Sequence, residues 1–206
     1  MKGLFLKDLY MIKKQLYFVY IVYFFFIVLF AFSKTNMFLL IFPVLFLTSS
    51  LINLLYYDDL YKWNILECTL PVSRKTIVKE KYILVALVLF FSSIIPCIVY
   101  YIKNKNFIDT LNLFYIHLLL NFIIPTVTLP IYYKLGYGKS RILSMIIAAF
   151  VGGISVLFLN TFLLNKMQEF KPNLSNIFYI MFPIIIVSLI FISYLISVKV
   201  YEKREF

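Results

Sequence analysis

Six long runs of the chain contain no Asp, Glu, Lys or Arg. A helix needs roughly 20 apolar residues to cross a bilayer core. The runs have about that length, and they lack the alternation of apolar and polar residues that marks a membrane β-barrel. The pattern therefore predicts an all-α integral membrane protein with six transmembrane helices. The predicted spans are residues 16–32, 37–57, 82–102, 110–133, 142–165 and 177–198.

The polar segments outside these spans are short enough for a single transmembrane domain over residues 1–206. The segment before the first span, Met1–Gln15, mixes four lysines and one acid with apolar residues. Such a composition is typical of a helix that lies at the membrane interface. We therefore predict an N-terminal interfacial elbow helix.

One loop, residues 58–81 between spans two and three, is longer than the others. We predict a short helix over Asp58–Cys68, because its charges are interleaved with apolar side chains. Pro71 then breaks the chain, since proline lacks a backbone donor and restricts the residue before it. Ser73 is a suitable N-cap for a helix that continues into span three.

Composition excludes a soluble or disordered protein. The chain is 63% hydrophobic and 14% charged, against roughly 45–50% and 25% in soluble domains. Its two cysteines cannot form a disulfide framework or a four-ligand zinc site, and we predict no metal site.

The basic residues indicate the orientation in the membrane. Of the 20 Lys and Arg residues, 15 lie on the side of the N-terminus and the even-numbered loops, and 5 lie on the other side. Because Lys and Arg concentrate in cytoplasmic loops, both termini are predicted to be cytoplasmic. Orientation and attraction to anionic membrane lipid account for the net charge of +11, so no nucleic-acid partner is expected.

Catalytic motifs are missing from the sequence, which contains neither HExxH nor GxSxG. Gly138-Lys139-Ser140 looks like the end of a phosphate-binding loop, but Tyr133 stands where its first glycine belongs. The chain is therefore not expected to be an enzyme or to hold a cofactor of its own.

The spans offer uncharged polar side chains as candidates for a substrate pathway. Ion-coupled carriers keep ionisable groups inside the membrane, and here the spans contain only His117, on the same helix face as Asn121. A packing role for His117 is the alternative. Energy for transport would therefore come from outside the chain. The pathway candidates are Thr48, Ser49, Ser50, Asn53, His117, Asn121 and Asn160.

The loop of residues 58–81 is a candidate docking element for a cytosolic partner. Its mixed charges favour docking over the alternative, a helix that lies on lipid with Trp63 as its anchor. The candidate docking residues are Asp58, Asp59, Tyr61, Lys62, Trp63, Glu67, Pro71 and Arg74.

Three stretches resemble the permease subunits of the ABC-2 transporter family. They are MKGLFLKDLYMIKKQ at the start, Trp63 to Tyr82 with its Leu70-Pro71-Val72-Ser73-Arg74 core, and Ser197–Phe206. The nearest group resembles the small permeases of Gram-positive bacteria that export phenol-soluble modulins or antimicrobial peptides.

The resemblance implies a mechanism and partners. Two permease subunits, as a homodimer or heterodimer in the bacterial plasma membrane, would enclose a pathway. Two separate cytosolic ABC ATPase subunits, which use ATP and Mg, would grip a cytoplasmic coupling helix at Asp58–Glu67. Trp63 would be the anchor of this helix and Pro71 its break.

Two other functions remain open. One is the substrate-binding membrane subunit of an energy-coupling vitamin importer, although such a subunit needs no long mixed-charge loop. The other is a bacteriocin-immunity membrane protein that does not transport. An ATPase that co-purifies with the chain would separate the permease from the immunity protein.

Overall fold

The structure is a computed structural model that describes residues 2–15, 17–33, 38–165 and 176–204. Within these ranges the chain forms eight α-helices and no strand, which confirms the all-α class. They are α1 (Lys2–Gln15), α2 (Tyr17–Phe32), α3 (Phe38–Leu60), α4 (Trp63–Thr69), α5 (Arg74–Asn104), α6 (Phe107–Leu135), α7 (Tyr137–Asn165) and α8 (Asn176–Glu202). The predicted outer loop over residues 166–175 lies outside the described residues.

Three of the described helices are long and apolar enough to cross a membrane: Arg74–Asn104, Phe107–Leu135 and Pro183–Glu202. The pair Gly3–Lys14 and Tyr17–Phe32, bent by 60°, counts as one more span at most. Over its described part, each of the six apolar runs lies in one helix, namely α2, α3, α5, α6, α7 or α8. The six-span topology stays a prediction.

The N-terminal helix is confirmed over Lys2–Gln15. Leu4, Asp8 and Ile12 form its buried side, because side chains four residues apart share one face of a helix. This side packs against α2, α3 and α5. The placement of α1 at a membrane interface stays a prediction.

The short helix between spans two and three starts later than expected. The prediction of a start at Asp58 is wrong, because α3 continues through Asp58 to Leu60. The helix then ends where Lys62 adopts a left-handed backbone with φ of 52°, a conformation that does not continue a right-handed helix. α4 begins only at Trp63.

The predicted break and cap after α4 are confirmed. Leu70 leaves the helix in an extended conformation, and the next helix begins at Arg74. The Ser73 side chain accepts a hydrogen bond from the backbone N–H of Thr76 at 3.3 Å, which satisfies one of the free donors of the first turn.

Helix α6 is the centre of the bundle, since it packs against α3, α5, α7 and α8. Tyrosines fill the core at the end of the bundle where α4 lies. Tyr132, Tyr133 and Tyr201 are almost fully buried there, and the rings of Tyr133 and Tyr201 are 4.9 Å apart. This tyrosine core holds α6 against the last turn of α8.

Proline residues lie inside α3, α5, α6 and α8 without ending them. A proline frees the carbonyl four residues before it, because it has no backbone N–H. For Pro96 this is the carbonyl of Ser92, which accepts a hydrogen bond from the hydroxyl of Tyr23 at 2.5 Å. The hydroxyl comes from α2, so the carbonyl that Pro96 frees also links two helices.

Pro130 in α6 is compensated in the same way. It frees the carbonyl of Thr126, which accepts a hydrogen bond from Ser193 of α8 at 2.6 Å. The hydroxyl of Tyr82 lies 2.6 Å from the same Ser193 oxygen. Freed backbone groups at membrane depth require such partners from neighbouring helices.

Candidate functional site

Four charged side chains meet where α1, α3 and α5 come together, and we call them the ion cluster: Lys7, Asp8, Asp58 and Lys81. Lys81 Nζ lies 2.5 Å from Asp8 Oδ2 and 2.6 Å from Asp58 Oδ2. Lys7 Nζ lies 2.8 Å from Asp8 Oδ1 and 2.7 Å from Asp58 Oδ1. Each cation therefore bridges both carboxylates.

The ion cluster is buried, with side chains exposed by 1% at Asp58, 2% at Asp8, 7% at Lys81 and 17% at Lys7. Removing charges from water is costly unless their geometry and hydrogen bonding are good. Two cations and two anions in alternating contact meet this condition. The cluster thereby fixes α1 against the end of α3 and the start of α5.

α4 is attached to the ion cluster through Trp63 and Glu67. The indole N–H of Trp63 donates to Glu67 Oε1, and Lys7 Nζ lies 3.8 Å from the same oxygen. Lys7 Nζ also lies 4.6 Å from the centre of the Trp63 ring, a cation–π distance. Burial raises the pKa of the Glu67 carboxyl, although the nearby Lys81 and Lys7 oppose the shift.

Asn64, on the same buried side of α4, links the helix to α6 and, through Asp59 of α3, to α7. Asn64 Nδ2 donates to Asp59 Oδ1 at 2.5 Å and to the hydroxyl of Tyr132 at 2.9 Å. Asp59 Oδ2 accepts from the backbone N–H of Tyr137, the first residue of α7, at 2.9 Å. Gly136 makes this turn with φ of 79°, where an L side chain would be strained. α4 thus contacts helices from both halves of the chain.

Apart from Lys62 and Thr69, the exposed side of α4 and its flanks is apolar, which reverses the usual arrangement of a surface helix. Its polar side chains Asn64 and Glu67 are buried, whereas Ile65 and Leu66 are 48% and 52% exposed. We call this exposed set the outward face. It consists of Leu60, Tyr61, Ile65, Leu66 and Leu70.

The eight predicted docking residues differ in exposure. Those exposed are Tyr61, Lys62 and Pro71, those half-buried are Asp59, Trp63 and Arg74, and those buried are Asp58 and Glu67. The carboxylates of Asp58 and Glu67 point to α1 and are not available to a partner in this conformation. The docking role of the set stays a prediction.

Sequence reasoning missed four residues that hold α4 in place: Lys7, Asp8, Asn64 and Lys81. Two of them carried a weak signal. Asp8 is the one acid of the first fifteen residues, and Lys81 directly precedes an apolar run. Nothing in the sequence indicates that they meet, since they are 73 residues apart.

Among the pathway candidates, Thr48 and Asn121 form a buried polar link between three helices. Thr48 Oγ1 donates to Asn121 Oδ1 at 2.9 Å, and Asn121 Nδ2 donates to Ser93 Oγ at 2.8 Å. These bonds join α3, α6 and α5, so both side chains serve packing within the chain. Their role in a pathway stays a prediction.

His117 is 1% exposed, and neither ring nitrogen has a hydrogen-bond partner among the described residues. The side chains of the other pathway candidates, Ser49, Ser50, Asn53 and Asn160, lie outside what the structure describes.

A small cavity of about 20 Å³ connects the ion cluster with Thr48. Its other walls are mostly apolar side chains of α3, α5 and α6. This volume has room for about one water molecule. Within the described part of the chain, no group of His, Cys, Asp and Glu side chains is arranged to hold a metal ion.

The helices expose many large apolar side chains, among them Phe25, Phe91 and Val187, which is costly in water. Together with the long apolar helices they define an all-helical membrane protein. A family model described as ABC-2 family transporter protein matches residues 3–202. The chain therefore belongs to the ABC-2 transporter family and is a permease subunit of an ABC transporter.

Members of this family are membrane transport components that are generally not catalytic themselves, and the family implies association with an ABC ATPase. No curated protein and no solved structure matches the chain. The resemblance to the small peptide exporters of Gram-positive bacteria stays a prediction.

Proposed function

We propose that this permease subunit exports amphipathic or hydrophobic peptides across the bacterial plasma membrane. It would act with a second permease subunit and with cytosolic ABC ATPase subunits that use ATP and Mg. In this proposal the chain has six spans and both termini are cytoplasmic. The outward face of α4 is the observation that carries the proposal.

The outward face supports docking of the ATPase because it combines exposure with a rigid base. Its five apolar side chains lie close together in the sequence and are all exposed, and clustered exposed apolar side chains are typical of interaction sites. The helix beneath them is held from the inside through Asn64, Trp63 and Glu67. Because α4 is held by these contacts, a partner that displaces α4 would also displace the helices to which α4 is bonded.

The docking proposal is tested with Tyr61→Ala, since Tyr61 is 65% exposed at the edge of the outward face. Aromatic residues dominate interface hot spots, and truncating one costs about 2 kcal/mol or more. We expect the affinity for the co-purifying ATPase to fall about thirtyfold. A binding assay in detergent, with one purified subunit immobilised on a surface, would give the ratio of the dissociation constants of the variant and the parent protein.

Tyr10→Ala is the matched control, because Tyr10 is 69% exposed but lies on α1. It should leave the affinity unchanged. Equal affinities for Tyr61→Ala and the parent protein would contradict docking at the outward face. Loss of affinity in both variants would indicate that the contact extends over α1.

The substrate class is inferred from the absence of charge in the spans. All 29 charged residues lie outside the six apolar runs, and a wall without charges disfavours a strongly ionic solute. The cavity beside the ion cluster holds about one water, which is far too small for a peptide. We therefore assign the pathway to the space between two permease subunits.

Peptide export is tested in cells that lack the permease gene. These cells should retain amphipathic peptides that the parent strain secretes, or become sensitive to such peptides when they are added. Complementation with the Tyr10→Ala variant should restore export, and complementation with Tyr61→Ala should restore it less. Normal secretion and resistance together with lost uptake of a vitamin would favour the importer function.

A further inference from the structure

Arg74 connects the loop after α4 with the last turn of α8. Its Nη1 atom donates to the backbone carbonyls of Tyr201, Glu202 and Arg204 at 3.1, 2.9 and 2.8 Å. The guanidinium carbon also lies 5.9 Å from the centre of the Tyr201 ring. The Arg74 side chain, at the start of α5, thus binds the C-terminal end of α8.

The position of Arg74 has a physical reason. The last carbonyls of a helix have no partner within the helix, and the C-terminal end carries partial negative charge. A cation that donates to several of these carbonyls supplies their missing hydrogen bonds and balances the partial negative charge. Such charge-assisted bonds are among the stronger ones in proteins. Arg74 therefore holds the end of α8 through hydrogen bonds and does not merely lie next to it.

Two further contacts lie beside Arg74. The hydroxyl of Tyr201 is 3.9 Å from Cys68 Sγ of α4, so α4 itself reaches the last turn of α8. Lys75 and Glu202 form an exposed ion pair at 3.7 Å, and exposed pairs contribute little. Tyr201 is 1% exposed. The contacts between the α4 loop and the last turn of α8 thus centre on the half-buried Arg74 and the buried Tyr201.

We propose that Arg74 is a positioning residue that makes α8 move together with the α4 loop when the ATPase displaces that loop. The inference rests on the proposed function, because it takes the ATPase to act on α4. It assigns Arg74 a role inside the chain and not at the docking surface. The last helix then follows the loop through a direct connection, in addition to its packing against α6.

Arginine suits this role better than lysine would. Its planar guanidinium can donate from one edge to these carbonyls and lie near the Tyr201 ring at once, whereas the lysine ammonium has no planar face. Arg74→Lys should therefore keep part of the connection and Arg74→Gln almost none. Lys75→Gln removes the same charge from the next residue and is the matched control.

The first measurement is amide hydrogen exchange on the purified chain in detergent. With Arg74→Gln, exchange of the last turn of α8, Val198–Glu202, should accelerate about tenfold or more. Arg74→Lys should be intermediate and Lys75→Gln unchanged. Exchange in α2 reports global stability and should stay constant. Unchanged exchange in Val198–Glu202 of Arg74→Gln would overturn the proposal.

The second measurement uses the complex with its co-purifying ATPase in nanodiscs. Spin labels are attached through Thr69→Cys and Lys203→Cys, both exposed positions, with Cys68→Ser and Cys97→Ser as background. In the parent and in Lys75→Gln, the distance between the labels should be the same with and without trapped ATP. In Arg74→Gln it should change or broaden with nucleotide.

The outcomes separate the two proposals. If no ATPase co-purifies with the parent protein, the proposed function fails and the positioning role fails with it. If the ATPase binds normally but the distances in Arg74→Gln match those of the parent, only the positioning role is overturned. A nucleotide-dependent distance in the parent protein would also overturn it.

Discussion

At the scale of single residues, hydroxyl groups compensate for prolines. Tyr23 and Ser193 each donate to the one carbonyl that a proline in a neighbouring helix has freed. A buried carbonyl without a donor is costly at membrane depth. The same two bonds join α2 to α5 and α8 to α6, so each proline increases the dependence of one helix on another.

Tyr23→Phe should lower the free energy of unfolding by about 1 kcal/mol, in the range of interhelical hydrogen bonds in membranes. The substitution removes only the hydroxyl group, which donates a hydrogen bond to the backbone carbonyl of Ser92. With Pro96→Ala as background, residue 96 supplies its own N–H, and the cost of Tyr23→Phe should fall. Unfolding in mixed detergent gives all four values of this cycle.

Tyr17→Phe serves as the control, because Tyr17 lies on the same helix and is 69% exposed. It should not change the free energy of unfolding. An equal cost of Tyr23→Phe in the Pro96 and Ala backgrounds would show that the hydroxyl does not act through the proline.

Lys81→Met should be among the most destabilising substitutions in the chain. It leaves Asp8 and Asp58 with Lys7 as their shared cation, and breaking a buried ion pair costs about 3–5 kcal/mol. Adding Asp8→Asn restores one cation to one anion and should recover part of this loss. Thermal unfolding in detergent measures both variants.

Lys79→Met is the control for this pair, since Lys79 lies two residues before Lys81 on the same helix and is exposed. Its effect should be within the small range of surface substitutions. A cost of Lys81→Met no greater than that of Lys79→Met would mean that the ion cluster does not hold α1 in place.

At the scale of elements, the positions of the helices could be predicted from the sequence. Which side of α4 is buried could not. The six apolar runs, the break at Pro71 and the Ser73 cap depend on local pattern, and local pattern is what a sequence displays. The side of a short helix that becomes buried depends on distant partners. Asp58 and Glu67 are turned inward by Lys7 and Lys81, which no local rule could pair with them.

The start of α4 was missed for a related reason. The left-handed backbone of Lys62 has no signature at a lysine, since glycine or asparagine would be the expected residue there. The docking role of the loop of residues 58–81 stays a prediction, and within that loop charged residues were expected on the surface where mostly apolar ones lie.

The six-span topology is tested by labelling thiols from outside intact cells. Phe107 begins α6, whereas Tyr61 lies beside α4, which bonds to Tyr132 near the other end of α6. Phe107→Cys and Tyr61→Cys therefore report opposite ends of the bundle, and both side chains are 65% exposed. Cys68→Ser and Cys97→Ser remove the native thiols. A membrane-impermeant maleimide should label Phe107→Cys in intact cells and should label Tyr61→Cys only after lysis. Labelling of Tyr61→Cys from outside would contradict a cytoplasmic α4.

At the scale of the whole molecule, the described helices pack closely around α6. Core contacts join α6 to α3, α5, α7 and α8, and the cavity beside Thr48 admits about one water. A peptide would have to separate these helices or pass beside them. A pathway between two copies, or between this chain and a related permease, would let the peptide pass without separating these helices.

Two permease subunits per complex are therefore expected. If the subunits are identical, copies with two different affinity tags should co-purify when expressed together with the ATPase. A heterodimer would instead show one tagged copy and a second, related permease in the purified complex, as intact-mass measurement would reveal. A complex with a single permease subunit would contradict a pathway between subunits.

The ion cluster has a consequence for how the protein is made. Its members are residues 7, 8, 58 and 81, so the cluster can close once the start of α5 has left the ribosome, before α6 has left it. Chains generally fold from the N-terminus during synthesis. The charges at the ends of the first helices would then neutralise one another early, while later helices are still entering the membrane. The bonds of Asn64 and Arg74 to α6 and α8 would form last and join the finished second half to a first half that is already assembled.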